Sequence, residues 1–445
     1  MTIFFIDPSA PTNGNGSRSS PFNTAPYADY NGGWVGHTFL LKAGAVFNAR
    51  VQLSGANNTT FGAYGKGPKP IWLNGGQDRC LNLGGSTGMQ LNHVDFRMSN
   101  GVARAVTSST LTQAVDRSLT VRGCSFSADD VNLVSGVDRI PLFVSGANIK
   151  VLGSHFYNCP SDGAHVAAGD NLEFAYNKVS AGNGVHANAD GLQLESGSTF
   201  NVHHNQVEIN GGIKQGFIFN NANGTNVNGT VEYNNITINS ESTGSAINVT
   251  SPGAVIRRNV IRAKRAGIVC NRNATVESNL IFVDFDMKEN YLAAIAFNSS
   301  TITHPVARNN TLIGTNKGRG ITYSTTSGMT NGVFERNIMQ GFAEAMYLGM
   351  SSGYVQANNW FWNNAVNSNR SLAASDRLDD ADFDSDYIPQ NPLAYRANGA
   401  VYSDPVVLDM FGRPFLTSTV GSIQPDIIDF DAEMMPIYRA SHDNV

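Results

Sequence analysis

The residues best suited to chemistry in this chain cluster between positions 162 and 214. Asp162-Gly163-Ala164-His165-Val166 recurs in kind 28 residues later as Asp190-Gly191-Leu192-Gln193-Leu194. Strand alternation puts Ala164, Val166, Leu192 and Leu194 on one face and His165 and Gln193 on the other. Asp162 and Asp190 then stack at the starts of neighbouring strands. Glu195 is the next outward position after Gln193. His186 precedes Asp190 in a Gly-rich loop, Lys214 leads into the following rung, and His203 and His204 lie on the adjoining strand. Four of the nine histidines fall between His165 and His204.

Two reactions use these residue types. Glycoside hydrolysis needs two carboxyl groups, ~5 Å apart for retention and ~6.5–9.5 Å for inversion. Asp162 with Asp190, or Asp190 with Glu195, is such a pair if their strands stack. Elimination from a uronate needs a base, an acid and a group that neutralises the sugar carboxylate. His186 or His165 supplies the base. Lys214, or a calcium ion held by Asp162, Asp190 and Glu195, supplies the positive charge. No cofactor is required, and no linear calcium-loop motif is present. Gln193, Lys214, His203 and Asn248 are the candidate substrate-binding residues. The plainer reading of Asp162 and Asp190 is a turn cap before glycine. That of His203 and His204 is a solvated surface pair.

These residues need a scaffold that stacks sequence-distant segments, and the chain carries its signature. A polar residue, Asn, any residue and an aliphatic recur as Tyr176-Asn177-Lys178-Val179, His204-Asn205-Gln206-Val207, Tyr233-Asn234-Asn235-Ile236 and Arg258-Asn259-Val260-Ile261. Further copies follow at Asn279, Asn310, Asn337 and Asn359, with degenerate ones at Cys124 and Ser154. The steps fall in the solenoid range. Each copy is preceded by a small residue and alternating apolar positions, as in Gly216-Phe217-Ile218-Phe219 and Ala246-Ile247-Asn248-Val249. Period two means strands with one buried face. No long helical periodicity interrupts them. Asn is expected at the turn because it tolerates left-handed angles, and its amides are expected to stack as a ladder. Two places before it, Glu232, Arg257, Glu277, Arg308 and Glu335 alternate in sign, which predicts a solvated face of weak pairs.

The composition fits this picture. The chain has 445 residues and a net charge of -5, with 41% apolar and only 15% charged residues. That excludes wholesale disorder and gives no global attraction to nucleic acid. No apolar run reaches the ~18 residues of a membrane span. The start, Met1-Thr2-Ile3-Phe4-Phe5-Ile6-Asp7-Pro8, lacks the basic start and longer apolar stretch of a secretory signal. Cys80, Cys124, Cys159 and Cys270 match no zinc or redox spacing, and read as buried free thiols.

The Asn column and alternating strands resemble the right-handed parallel β-helix proteins of the pectate-lyase-like superfamily. The resemblance covers about residues 80 to 365. It implies an all-β, single-stranded parallel β-helix of about ten coils. An amino-terminal cap and first coil would occupy 1–75, the helix 76–370 and a carboxy-terminal cap 371–445. Asp190-Gly191-Leu192-Gln193 is similar to an element of bacterial and phage β-helix proteins, some of which cleave polysaccharides. The Asp pair, Gly-His-Gly and Arg-Ile-Lys of polygalacturonase-type hydrolases are absent. The resemblance thus implies a polysaccharide depolymerase, lyase or hydrolase, acting on a capsular or exopolysaccharide. With no signal peptide, a phage tailspike-like homotrimer on the virion is the first expectation. A secreted bacterial enzyme and a non-catalytic glycan-binding adhesin are the alternatives. Trp360-Phe361-Trp362, in the last repeat, reads as core and cap, or as a sugar-stacking platform.

Overall fold

The protein was studied as a computed structural model, which describes residues 2–24, 35–53, 55–99, 104–108, 117–128, 139–181, 190–210, 215–220, 228–239, 244–284 and 292–383. His186 and Lys214 lie outside the described residues. The chain divides into two compact units, Met1–Thr225 and Asn226–Val445.

Each unit is a parallel β-solenoid, and among the described residues there is no helix. One coil of the first unit runs through Ala164–Asp170, Leu172–Ala175 and Lys178–Ala181. Each strand pairs in parallel with its counterpart one coil later: Leu192–Leu194, Thr199–His203 and Gln206–Ile209. The strands before the Asn column form the first sheet, those after it the second, and those that open each coil the third. Coils reach further toward the amino terminus than the repeat motif does. Ile3–Ile6 pairs with Thr38–Lys42, which pairs with Thr60–Tyr64. Coiling from Leu81–Asn82 through Trp360–Trp362 is close to the ten turns expected.

Stacking like on like explains why the repeat is legible. Inward aromatic residues fall at rung spacing: Trp72–Phe96, Phe96–Phe126 and Phe126–Phe156 have ring centroids 5.4, 5.5 and 4.9 Å apart. Rungs repeat at ~4.8 Å, so identical inward positions meet face to face. All four cysteines are buried free thiols in these cores. Burial pushes the Cys124 thiol up to about 11 and raises those of Cys159 and Cys270 as well.

The Asn column forms the expected ladder. In the second unit Asn234, Asn259, Asn279, Asn310, Asn337 and Asn359 are buried. From Asn259 onward each Oδ1 accepts from the backbone N–H and the amide of the Asn one rung before, at 2.9–3.1 Å. In the first unit Asn177 donates in the same way to Asn205, and accepts from Ser154 N. The ladder ends at Asp376, whose Oδ1 accepts from the Asn359 backbone at 2.8 Å. A carboxylate suits a terminus because it needs no further acceptor beyond it.

The expected backbone role of Asn is corrected. The left-handed residue is the one before it: Gly123, Gly153, Tyr176, His204, Tyr233, Arg258, Ser278, Asn309, Arg336 and Asn358 have φ between 56° and 60°. Asn is selected here for its amide, which two buried rungs share. The charge column is also less solvated than expected. Glu232–Arg257 and Glu277–Arg308 close at 2.7 and 2.9 Å, and Glu277 is only 5% exposed. Beyond the last coil, Ala381 and Phe383 pack on Trp360 and Ile338, and Trp360 Nε1 donates to the Asp379 carbonyl.

Candidate functional site

Four candidates of the first unit, Asp162, His165, Gln193 and Glu195, come together at the outward side of the third sheet. The register aligns Phe143, His165, Gln193 and Ile218 in one column. Alternation therefore delivers His165 beside Gln193, as the sequence indicates. A bulge follows at once, because Val144 pairs with Val166 while Ser145 pairs with Ala168. The extra residue, Ala167, packs outside the sheet with Ile140 and Phe143. Bulges re-aim side chains in this way and increase local twist. Phe143 lies 4.6 Å from the His165 ring, centroid to centroid, and carries the Arg104 guanidinium 3.6 Å above its own ring. An apolar wall of Phe143, Ile140 and Ala167 thus flanks the imidazole.

His165 is only 7% exposed and sits between two carboxylates. Its Nδ1 is 3.4 Å from Asp162 Oδ2, and its Nε2 is 3.3 Å from Glu195 Oε1. Neither nitrogen has hydrogen-bond alignment. Glu195 Oε1 accepts from Gln193 Nε2 at 3.1 Å. Exposure rises along the line: the Asp162 and His165 side chains are 3% and 9% exposed, that of Glu195 38%. A polymer lying on this face would meet Glu195 and Gln193 first, with the imidazole behind them.

The two aspartates have backbone work. Asp162 Oδ1 accepts from Asp190 N at 2.9 Å, and Asp190 Oδ1 accepts from Gln215 N at 2.8 Å. Each ties its rung to the start of the next, and each is nearly sequestered from solvent. Asp162 does both jobs, holding the backbone with one oxygen and facing His165 with the other. Asp190 is not brought against His165 by any contact described. Among the described residues no group of three or more His, Cys, Asp or Glu side chains is placed to hold a metal ion.

The remaining candidates lie elsewhere. His203 belongs to the first sheet, with Nδ1 2.8 Å from His204 Nδ1 and Nε2 3.9 Å from Glu173. Asn248 is in the second unit, in register with Val269, and accepts from Asn271 Nδ2 at 3.3 Å. Sequence reasoning missed Phe143 and Arg104. The available signal was the Leu142-Phe143-Val144 alternation, one shorter step before Ala164-His165-Val166.

No protein-family model and no curated protein matches this sequence. Among solved structures the chain is similar to the GH136 lacto-N-biosidase from Eubacterium ramulus, at 12% identity and TM-score 0.43, covering 81% of this chain and 68% of that one. It is similar to the PL6 family alginate lyase AlyGC at 11% identity and TM-score 0.45, over 88% of this chain and 57% of that one. Pectate lyase Pel9A aligns at 14% identity and TM-score 0.27, over 96% and 93%.

Proposed function

We propose that this chain cleaves a polysaccharide on the outward third sheet of its first unit, with Glu195 as the proton-transferring group. The observation that carries the reading is the line Asp162–His165–Glu195, which runs from a buried carboxylate through an unaligned imidazole to a solvent-facing carboxylate. Breaking a glycosidic C–O bond leaves an oxygen that must take a proton. This holds whether water adds at the anomeric carbon or a proton α to a uronate carboxylate is removed. Glu195 in its acid form donates that proton. Glu195 is left as the carboxylate and regains a proton through solvent. That proton is the one released in the other step, by the attacking water in hydrolysis or by the α carbon in elimination. His165 Nε2 lies 3.3 Å behind Glu195, with Asp162 3.4 Å from Nδ1 on the buried side. Gln193 holds the Glu195 oxygen that faces the ring. Lyase and hydrolase share this step, and the base or nucleophile of the other step distinguishes them.

The test is turnover of a panel of acidic and neutral polysaccharides by the wild type, Glu195→Gln and His165→Ala. Reducing ends with unsaturated-uronate absorbance mean elimination, and reducing ends alone mean hydrolysis. Loss of a general acid costs about 10²–10⁴-fold. Wild-type turnover by Glu195→Gln would overturn the assignment. A bacterial capsular or exopolysaccharide as the polymer, a phage tail as the setting and a homotrimer as the assembly are supported by the sequence resemblance. A capsule panel and sedimentation equilibrium test them.

A further inference from the structure

The second sheet of the second unit carries a separate constellation. Its outward column reads Thr237, Arg262, Phe282, Ile313, Gln340 and Trp362, one residue per rung. A groove of about 610 Å³ opens over the first four, flanked by Lys264, Asp284 and Thr315. The Arg262 guanidinium lies 5.1 Å from the Phe282 ring. Arg262 is exposed and makes no ion pair among the described residues. Thr315 donates to Asp284 at 2.8 Å, which engages the groove's acidic side chain locally. Gln340 Oε1 is buried and lacks a hydrogen-bond partner. Trp360 and Phe361 point into core and cap, whereas Trp362 stays partly exposed in this column.

We infer that this column is a binding platform for an extended anionic glycan lying along the solenoid axis, a site separate from the proton-transfer line. Rungs repeat every ~4.8 Å, about the advance of one sugar in an extended chain. Phe282 and Trp362, three rungs apart, therefore present rings to sugars ~14 Å apart. Sugar faces are apolar on their C–H sides and stack on such rings. Gln340 between them, with Oε1 buried, offers its amide N–H to hydroxyls. Arg262 selects carboxylate or sulfate, because its planar fork matches those oxyanions bidentately. A neutral glycan would leave that cation without a partner, and a nucleic acid would call for a longer basic track than Arg262 and Lys264 provide.

The experiment is calorimetric titration of the full chain, in a Glu195→Gln background that blocks turnover, with a galacturonate hexamer, a sulfated oligosaccharide of equal length and cellohexaose. The expected result is a binding event for one or both acidic probes, weakened by salt. It should fall about tenfold or more in Trp362→Ala and Arg262→Gln, and be at least about tenfold weaker for cellohexaose. Which acid binds separates carboxylate from sulfate recognition. Arg262→Gln changes an exposed side chain and serves as the control should Trp362→Ala fail to fold. Acidic-probe binding unaffected by either substitution, equal binding of cellohexaose, or no binding of either acidic probe would overturn the inference. A wild-type rate for Glu195→Gln with this binding intact would reject the proton-transfer reading alone.

Discussion

Replacing Asn310 by alanine tests the amide ladder at a position where every partner is defined. The side chain makes five hydrogen bonds. Its Oδ1 accepts from Asn279 N and Asn279 Nδ2, both at 3.0 Å. Its Nδ2 donates to the carbonyls of Val276 and Arg308 and to Asn337 Oδ1, at 2.9–3.0 Å. Most of the partners keep something. Asn279 Nδ2 still donates to Ile256 O and Glu277 O, Arg308 O still accepts from Ser278 N, and Asn337 Oδ1 still accepts from Asn310 N. The group stripped of its partner is the buried Asn279 N–H. One orphaned buried donor costs ~1–3 kcal/mol, and the four weakened groups add ~0.5 kcal/mol each. The expected loss is therefore about 3–5 kcal/mol. Asn310→Asp should cost as much near neutral pH, because an acceptor would then face three oxygens. Asp376→Asn keeps the Oδ1 acceptor for Asn359 N but turns a donor toward Gln356 Nε2 and Ala373 N, from which Oδ2 accepts at 2.8 and 2.9 Å. Its cost of ~1–3 kcal/mol should stay local to the last rung and leave Asn279 N–H protected. A solenoid can open in segments, so a global melt averages the effect. The assay is native-state hydrogen exchange at Asn279 N–H, where about 3 kcal/mol is a hundredfold loss of protection. Protection within about threefold of wild type in Asn310→Ala, or an equal loss in Asp376→Asn, would refute the ladder as a source of stability.

Three other outcomes are expected. Glu195→Gln should lower turnover of a cleaved polysaccharide about 10²–10⁴-fold with little change in KM, while Gln193→Ala should raise KM; steady-state kinetics reads both. Arg308→Ala should destabilise by about 2–4 kcal/mol by stranding the buried Glu277 carboxylate, whereas Arg257→Ala, beside the more exposed Glu232, should cost ~1 kcal/mol; urea titration of the two variants side by side checks it. The raised Cys124, Cys159 and Cys270 thiols stay protonated well above the ordinary ~8.5. Iodoacetamide at pH 8 should then leave the native cysteines unlabelled and modify all four in denaturant, as counted by mass; rapid labelling of the folded protein would place a thiol at the surface.

What the sequence determined was whatever repeats. Asn177 to Asn359 marked the rungs, and alternation in Gly191-Leu192-Gln193-Leu194 marked which side chains face out, because parallel stacking lays equivalent positions over one another at fixed spacing. His165 above Gln193 followed from that period alone. The left-handed residue was misplaced because Asn is favoured in such conformations generally, whereas this corner puts them one position earlier and uses Asn for its amide. The tertiary structure decided everything that depends on environment. It buried Asp162 and Asp190 against backbone amides, set His165 between Asp162 and Glu195, and left Trp362 partly exposed beside a buried Trp360. Periodicity specifies neighbours along the stack, but burial depends on which segments cover each face, and those segments do not repeat. Glu195 lies 30 residues after His165 in the chain, and only the closing of one coil brings its Oε1 to 3.3 Å from the imidazole Nε2.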